Sequence, residues 1–195
     1  FRSDLGGFAA STFKRGMEYV NVPTTLLGAV DAAVGGKTGI NFGGLKNEIG
    51  VINSSKSVVI NADFFRTLDA ENLRSGYAEM IKHGLISNTE IWKHILSFDL
   101  DNVDYNRLSE LLLESISVKE KVVEIDPTEK GLRKVLNFGH TVGHAFESYA
   151  MEIGKPVLHG YAVAWGMISE LYLSYKLLGF PKEALSTAVR MIKEN

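Results

Sequence analysis

Apolar and polar residues follow two different patterns along the chain, and the change comes near residue 69. Before it, short runs rich in β-branched residues, closed by turn-forming residues, predict strands at 19–22 and 57–60. The glycine-rich stretch 35–50 between them is interpreted as a loop. After it, apolar residues recur at helical spacing. The helices so predicted are 73–85, 108–122, 142–149, 162–178 and a last one after Pro181.

The two patterns predict a mainly α chain with a small α/β part. We place the division between 1–68 and 69–195. The first residues, Phe1 to Gly7, are interpreted as loop without a preceding element, and the last amphipathic pattern stops at Asn195. We therefore expect the sequence to be a piece of a longer protein.

Composition excludes several classes of function. The chain has 45% hydrophobic residues and a net charge of -2, from 21 basic and 23 acidic residues, so it offers no electrostatic basis for binding nucleic acid or an anionic membrane. With no cysteine, a metal site must use histidine and carboxylate ligands. No apolar run approaches the roughly 20 residues of a membrane span, and no signal sequence opens the chain. A soluble cytoplasmic protein is the expectation.

Three of the five histidines fall within twenty residues, which raises the possibility of a metal site. His140 and His144 are four apart, so a helix would place both on one face. The zinc peptidase motif also needs Glu directly after the first histidine, where this chain has Thr141. His159 begins the next helix. Spacing alone leaves two readings open: metal ligands, or separate histidines with ordinary hydrogen bonds.

A carboxylate ligand could come from the first long helix. Glu79 has apolar neighbours, and two histidines with one carboxylate are a common catalytic zinc set. The alternative is an exposed ion pair with Lys82, three residues further on. Taken alone, the residues favour the exposed ion pair over the metal ligand.

A second candidate site is the segment Gly35-Gly36-Lys37-Thr38, which resembles the end of a P-loop. The position that needs the first P-loop glycine is Asp31, whose charge would repel nucleotide phosphates, so a nucleoside triphosphatase is disfavoured. Glycine backbone with Lys37 and the pair Lys46-Asn47 fits a small phosphate or sugar phosphate. A mobile surface loop is the alternative.

Several motifs occur in an order and spacing typical of one enzyme family. They are Val22 to Leu27, Val30-Asp31, Gly35 to Thr38, Lys46 to Gly50, Ala78 to Lys82, Gly131 to Arg133, Leu136 to His144 and Leu158 to Gly160. From Asp4 to about Gly179 the chain thereby resembles the 3-dehydroquinate synthases. The resemblance implies their helical C-terminal domain at 69–195 and a remnant of a Rossmann-like NAD-binding domain at 1–68.

The resemblance implies an enzyme of the shikimate pathway. It would convert 3-deoxy-D-arabino-heptulosonate 7-phosphate to 3-dehydroquinate and phosphate, with NAD regenerated within each turnover. It also implies a divalent metal, zinc or cobalt, which would lower the pKa of a substrate hydroxyl. The metal ligands would be Glu79, His140 and His159. His144 would then turn to the substrate.

The resemblance assigns the remaining site residues by position. Those expected at the phosphate end are Lys37, Asn47, Lys82 and His144, joined by Arg15 from the partner subunit of a homodimer. Those expected at substrate hydroxyls or at the carboxylate are Asp31, Asn137, Lys119 and Arg133, with Glu129 next to Lys119 or Arg133. Those expected to contact NAD are Asp4, Thr24, Thr25, Lys37, Lys46, Phe64, Phe65, Arg66 and Thr67.

The sequence also departs from the family pattern. The glycine-rich segment expected before Asp4 is not there, and Tyr161 stands where many members have Glu. We expect most of the NAD-binding domain to lie upstream and this chain alone to be inactive. The alternatives are a related sugar phosphate cyclase, a metal-dependent alcohol dehydrogenase of similar fold, or a non-catalytic helical assembly module. The presence of Lys119, Arg133, Asn137 and His144 favours the synthase.

Overall fold

The computed structural model describes residues 2–43 and 45–195, and their side chains except those of residues 2 and 45–47. Its elements are α1 (Arg2–Thr12), β1 (Val20–Asn21), β2 (Lys37–Phe42), β3 (Leu45–Ile52), β4 (Ser57–Val58), α2 (Ala70–Ile86), α3 (Thr89–Leu96), α4 (Tyr105–Ile125), α5 (His140–Glu152), α6 (His159–Leu178) and α7 (Lys182–Glu194). A π-helical turn at Gly28–Ala32 and 3-10 turns at Ala62–Thr67 and Leu132–Asn137 connect them. The chain is therefore mainly helical with a small α/β part, as its patterning predicts.

The two predicted strands are present and pair with each other in parallel. The prediction of a loop at 35–50 is wrong. β1 pairs with β4 in parallel, and β2 pairs with β3 as an antiparallel hairpin that occupies most of residues 35–50. Gly39 lies opposite Gly50, and a Cβ on Gly50 would be 2.3 Å from the carbonyl oxygen of Thr38. The glycines here allow close strand approach, so they do not mark a loop.

The interpretation of the first residues as loop is also wrong, because α1 spans Arg2–Thr12. Gly7 is buried where this helix meets β2, and a Cβ there would lie 2.5 Å from Cγ2 of Thr38. Gly7 therefore serves close packing within a helix. A sequence pattern cannot distinguish that use of glycine from a turn.

α2 is the central helix of the molecule. Asp69 caps it by accepting the backbone N–H of Asn72 at 2.7 Å. Every residue from Ser75 to Gly84 is buried, so the helix is covered on all sides by its neighbours. Tyr77, fully buried, donates its hydroxyl to the carbonyl of Ile95 at 2.6 Å and ties α2 to α3. Polar groups on α2 are therefore held in the core.

Two of the long helices end at residues that cannot continue a helix or that favour its C-terminal cap. α4 stops before Asp126 and Pro127, since proline lacks the N–H needed to continue a helix. α6 ends at Gly179, which has a left-handed φ of 74°. Within the described residues, no helix combines the length and apolar character needed to cross a bilayer.

Candidate active site

Three helices bring one carboxylate and two imidazoles together. Glu79 lies in the middle of α2, His140 is the first residue of α5 and His159 the first of α6. Nε2 of His140 and Nε2 of His159 are each 3.6 Å from Oε1 of Glu79. Two ligand atoms that each lie 2.0–2.1 Å from one tetrahedral zinc are about 3.3 Å apart. The spacing of these three side chains therefore suits a single divalent cation bound by all of them.

Backbone contacts through glycine fix the spacing of these helices. The N–H of Gly160, next to His159, donates to Oγ of Ser75 on α2 at 3.0 Å, and a Cβ on Gly160 would be 1.8 Å from the Ser75 carbonyl oxygen. Between α6 and α5, a Cβ on Gly166 would be 1.9 Å from the carbonyl oxygen of Gly139. The helices carrying the histidines thus approach to backbone contact, which leaves little freedom in the ligand positions.

A carboxylate from α6 holds the start of α5. Oε2 of Glu170 accepts the backbone N–H of Gly139 at 2.8 Å, directly before His140. Negative charge is favourable at a helix N-terminus, where the first N–H groups lack partners. Sequence reasoning missed Glu170, and no local signal could have found it, because the contact exists only once α5 and α6 are packed.

Glu79 is a charged group in the protein core. Burial alone would raise the pKa of its carboxyl, but the ion pair with Lys82 and the two nearby imidazoles outweigh burial and hold the pKa well below its usual range. Among the described residues, none gives either carboxylate oxygen a hydrogen bond of good geometry. A buried carboxylate with open lone pairs and two imidazoles is a donor set that fits a divalent metal.

The two imidazoles of this set respond differently to their surroundings. Burial lowers the pKa of His140, whose Nδ1 lies 3.2 Å from the carbonyl oxygen of Phe138. Burial alone would also lower the pKa of His159, but its contacts with Glu79 and Glu147 outweigh it and raise the pKa. The pKa of His159 is raised while that of His140 is lowered because His159 has a carboxylate near each ring nitrogen, Glu147 near Nδ1 and Glu79 near Nε2.

A cavity of about 290 Å³ opens next to this cluster. It collects predicted site residues from both parts of the chain. They are Asp4, Asp31, Lys37, Lys82, Lys119, Arg133, Asn137, His140, His144 and His159. A concave site with several cations suits a small anionic molecule.

The lysines of the cavity are paired with carboxylates. Nζ of Lys119, almost fully buried, lies 2.5 Å from Oδ1 of Asp31 and donates to its backbone carbonyl at 2.6 Å. Burial would raise the pKa of Asp31, but Lys119 outweighs it and the pKa falls to about 2. Lys37 forms a second ion pair with Glu129. Both pairs join residues 1–68 to the helical part.

The direct partners of Glu129 are residues that the sequence did not pair with it. Its carboxylate pairs with Lys37 and accepts from Nδ2 of Asn137 at 2.6 Å, while Arg133, one of its two expected neighbours, is near enough for its charge to help lower the pKa of Glu129. Arg133 instead donates to the carbonyls of Pro127 at 2.7 Å and Gly35 at 2.9 Å. The left-handed φ of 59° at Glu129 turns this side chain toward β2, a backbone detail that residue spacing does not reveal.

Other predicted residues lie away from this cavity. Arg15 borders a separate groove beside Ser11 and Lys56. Oγ1 of Thr25 accepts the N–H of Gly28, and Phe65 is fully buried in the core. The described residues that were assigned to NAD and do not line the cavity are Thr24, Thr25, Phe64, Phe65, Arg66 and Thr67. The side chains of Lys46 and Asn47 lie outside the described residues.

Sequence reasoning also missed Glu147, a buried carboxylate on α5. Its Oε2 lies 2.7 Å from Nδ1 of His144, and its Oε1 lies 3.3 Å from Nδ1 of His159. The position three residues after His144 was a usable signal, since residues at that spacing meet on a helix surface. The link to His159 needed the fold.

Comparison with known proteins gives the family of both parts. Residues 2–75 match the family model described as 3-dehydroquinate synthase N-terminal, and residues 76–195 match the one described as 3-dehydroquinate synthase C-terminal. A 3-dehydroquinate synthase of Parabacteroides distasonis is 59% identical over 98% of this chain and 54% of its own length. One of Bacillus pumilus is 46% identical over 90% of this chain and 48% of its own. The chain spans about half the length of these relatives.

Solved structures with the same fold belong to sugar phosphate cyclases. A 2-epi-5-epi-valiolone synthase of Streptomyces hygroscopicus, solved with NAD+ and Zn2+, is 28% identical with a TM-score of 0.86, and the match covers 98% of this chain and 54% of that one. A 2-deoxy-scyllo-inosose synthase, solved with carbaglucose-6-phosphate, NAD+ and Co2+, is 25% identical with a TM-score of 0.88, covering 97% and 52%.

Proposed function

Because this chain belongs to the 3-dehydroquinate synthase family, we propose that the whole protein converts 3-deoxy-D-arabino-heptulosonate 7-phosphate to 3-dehydroquinate and phosphate. The observation that supports this most directly is the cluster of Glu79, His140 and His159 beside a cavity lined by cations. As a phosphate-eliminating enzyme it would be a lyase. We further propose a cytoplasmic homodimer, with Arg15 reaching the partner subunit's site.

We propose that Glu79, His140 and His159 hold a divalent metal, zinc or cobalt. Their nitrogen and oxygen atoms lie close enough together to share one ion, and Oε1 of Glu79, the oxygen that Lys82 does not contact, is the one that faces both imidazoles. A bound metal would acidify the substrate hydroxyl that is oxidised. Both solved relatives described above hold such an ion.

NAD is the second cofactor we propose, because both solved relatives also contain it. It would accept a hydride and return it within one turnover. A second cavity of about 360 Å³ shares Asp4 and Lys37 with the first and runs along β2 and β3. From residues 1–68 we expect these two to contact NAD, together with Lys46, Thr24, Thr25 and the stretch 64–67.

The cations of the cavity suit a substrate with an anion at each end. We propose that Lys37, Lys82, His144 and Asn47 surround the phosphate, while Lys119 and Arg133 bind the carboxylate. Binding would displace carboxylates from two of these cations, since Asp31 now pairs with Lys119 and Glu129 with Lys37. The released Asp31, together with Asn137, would be available to substrate hydroxyls.

Two histidine variants of the whole protein test the metal assignment. His159→Ala should lose the bound metal together with activity, whereas His144→Ala should retain the metal and lose activity. Metal content by elemental analysis and release of phosphate from the substrate measure the two effects. Loss of the metal in His144→Ala would overturn the assignment and favour the pairing of His140 with His144.

The same assay separates the competing activities. Offered hexose and heptulose phosphates in parallel, the protein should release phosphate from the heptulosonate alone. A cyclic inosose or valiolone product would indicate a related cyclase, and net accumulation of NADH with a simple polyol would indicate an alcohol dehydrogenase. The four cations in the cavity are the reason to expect the acidic substrate.

A further inference from the structure

One buried carboxylate lies between two histidines to which the proposed function gives different tasks. Glu147 is 5% exposed and stands one helical turn after His144 on α5. Its Oε2 faces Nδ1 of His144 at 2.7 Å, and its Oε1 faces Nδ1 of His159 at 3.3 Å. We infer that Glu147 is a positioning residue that sets the tautomer and ring orientation of both histidines at once. The inference rests on the proposed function for the tasks of the two rings.

The hydrogen-bonding capacity of these three side chains determines which ring nitrogen carries the proton. An ionised carboxylate only accepts, and a neutral imidazole has one N–H and one lone pair. A shared Glu147 therefore places the proton of each ring on Nδ1 and the lone pair of each ring on Nε2. For His159 this lone pair is 3.6 Å from Oε1 of Glu79, where a metal would need it. For His144, which lines the cavity, it would be available to accept a proton there.

The backbone already holds the helices, so the rings are what remains to be fixed. A Cβ on Gly143 would be 2.9 Å from the carbonyl oxygen of Ala162, which shows that α5 and α6 are in backbone contact between the two histidines. The rings of His144 and His159 are 5.8 Å apart between centroids. A carboxylate between them couples the orientation of one ring to that of the other.

The competing hypothesis is a second cation site. Its ligands would be His144, Glu147 and His159, whose ligand atoms also lie close together. The distances argue against it. Two ligand atoms 2.0–2.1 Å from one tetrahedral zinc are about 3.3 Å apart, whereas the 2.7 Å between Glu147 and His144 is a hydrogen-bond length. His159 would also have to bind metal through both ring nitrogens.

The first test reads the tautomers directly, without metal and without turnover. The whole protein is labelled with ¹⁵N-histidine, stripped of metal and examined by long-range ¹H–¹⁵N correlation at about pH 9, where imidazoles are neutral. Both His144 and His159 should show a protonated Nδ1. An Nε2-protonated form of either ring in the wild-type protein would overturn the inference, whatever the variants do.

The variants test whether Glu147 is the cause. In Glu147→Gln the amide has one acceptor and one donor group, so at least one of the two rings should switch to the Nε2-protonated form, and in Glu147→Ala both should be released. Affinity for zinc, measured by chelator competition, should fall about 10- to 100-fold. Glu152→Gln, an exposed carboxylate of the same helix, is the matched control and should change neither readout.

The outcomes separate this inference from the proposed function. Unchanged tautomers in both Glu147 variants would sink the positioning role. Two equivalents of metal in the wild type, with one lost in Glu147→Gln, would also overturn it and establish a second cation site. If the tautomers respond as expected but the wild type forms no 3-dehydroquinate, the positioning role stands and the proposed function fails.

Discussion

At the scale of single residues, the core of α2 contains an anion and a cation that depend on each other. Lys82 and Glu79 form an ion pair in which both side chains are almost completely buried. Removing one member of such a pair leaves an uncompensated buried charge, which typically costs about 3–5 kcal/mol. A divalent metal at Glu79 would supply the compensating charge in place of the lysine.

Lys82→Met should therefore destabilise the metal-free protein much more than the metal-loaded protein. We expect a loss of about 3 kcal/mol without metal and a clearly smaller one with zinc, measured by denaturant unfolding with chelator or with excess zinc. Lys134→Met, at an exposed lysine, is the control and should have little effect in either state. Equal losses with and without metal would contradict a metal at Glu79.

A buried histidine near this pair should make stability depend on pH. His83 is completely buried, its Nδ1 lies 2.7 Å from Oγ of Ser115, and burial together with Lys82 lowers its pKa from 6.5 to about 3. Between those values the unfolded chain binds a proton that the folded chain does not. Stability is thus fully present above pH 6.5 and falls as the pH falls toward 3.

The expected slope is up to about 1.4 kcal/mol per pH unit for one proton. We expect the free energy of unfolding to fall by roughly 1–2 kcal/mol between about pH 6.5 and 5, above the range in which Asp31 titrates. His83→Gln should have a flatter profile over the same interval. A parallel slope in the variant and the wild type, by urea unfolding at each pH, would assign the effect elsewhere.

At the scale of elements, glycines determine how closely the site helices approach. Gly160 and Gly166 face the backbone of α2 and α5, and a methyl group at either position would lie within 2 Å of a carbonyl oxygen. Separation of these helices would move His140 and His159 away from Glu79. The precision of the site therefore comes from small residues as much as from the ligands.

Gly160→Ala tests this dependence. Overpacking should cost about 1–3 kcal/mol of stability or more, and zinc affinity should drop, because His159 is the adjacent residue. Gly6→Ala on α1, where no atom lies within 4 Å of the added Cβ, should keep both properties. Thermal unfolding and chelator competition measure them. Normal zinc affinity in Gly160→Ala would show that the helix spacing is not critical.

The elements also show what the sequence could and could not predict. Apolar residues at helical spacing predicted α2, α4, α5, α6 and α7, because this spacing repeats over several turns in each of them. The hairpin of β2 and β3 and the first helix were missed, since Gly50 and Gly7 serve close packing there and resemble turn residues in sequence. The short helix α3 was missed as well, because eight residues give too few repeats of the apolar spacing. Element type was therefore readable where the helical spacing of apolar residues is long, and unreadable where the element is short or a glycine has a tertiary role.

The same limit applies to the site. The resemblance to the family assigned Glu79, His140 and His159 as ligands, and the fold indeed brings these three together. Spacing alone would have paired His140 with His144. Glu147 and Glu170 act across the α5–α6 contact, and Glu129 turns toward Lys37. Those contacts depend on packing and backbone conformation that no local pattern encodes.

At the scale of the whole molecule, the cavity is built from both parts of the chain. Asp31 and Lys37 come from residues 1–68, while Lys119, Glu129 and Arg133 come from the helical part. Several residues assigned to NAD do not reach this cavity, and the chain spans about half the length of its relatives. The assembled site thus needs more than the helical part alone.

We expect the 195-residue chain on its own to release no phosphate from the heptulosonate substrate under conditions where a protein of its relatives' full length does. The physical reason is that NAD would have too few contacts to bind. Zinc uptake by the same chain, measured by elemental analysis, should persist because all three proposed ligands are present. Turnover by the chain at a rate near that of the full-length protein would contradict this.

The ion pair of Asp31 with Lys119 has a further consequence for how such proteins can be recombined. The buried ammonium of Lys119 belongs to the helical part, and its counter-ion Asp31 belongs to residues 1–68. Either part by itself would therefore lack the partner of its charge in this pair. A chimaera that joins the first part of one relative to the helical part of another would fold well only if both members of the pair are inherited. Exchange between homologues is thereby restricted to combinations that keep an acid at position 31 and a base at position 119.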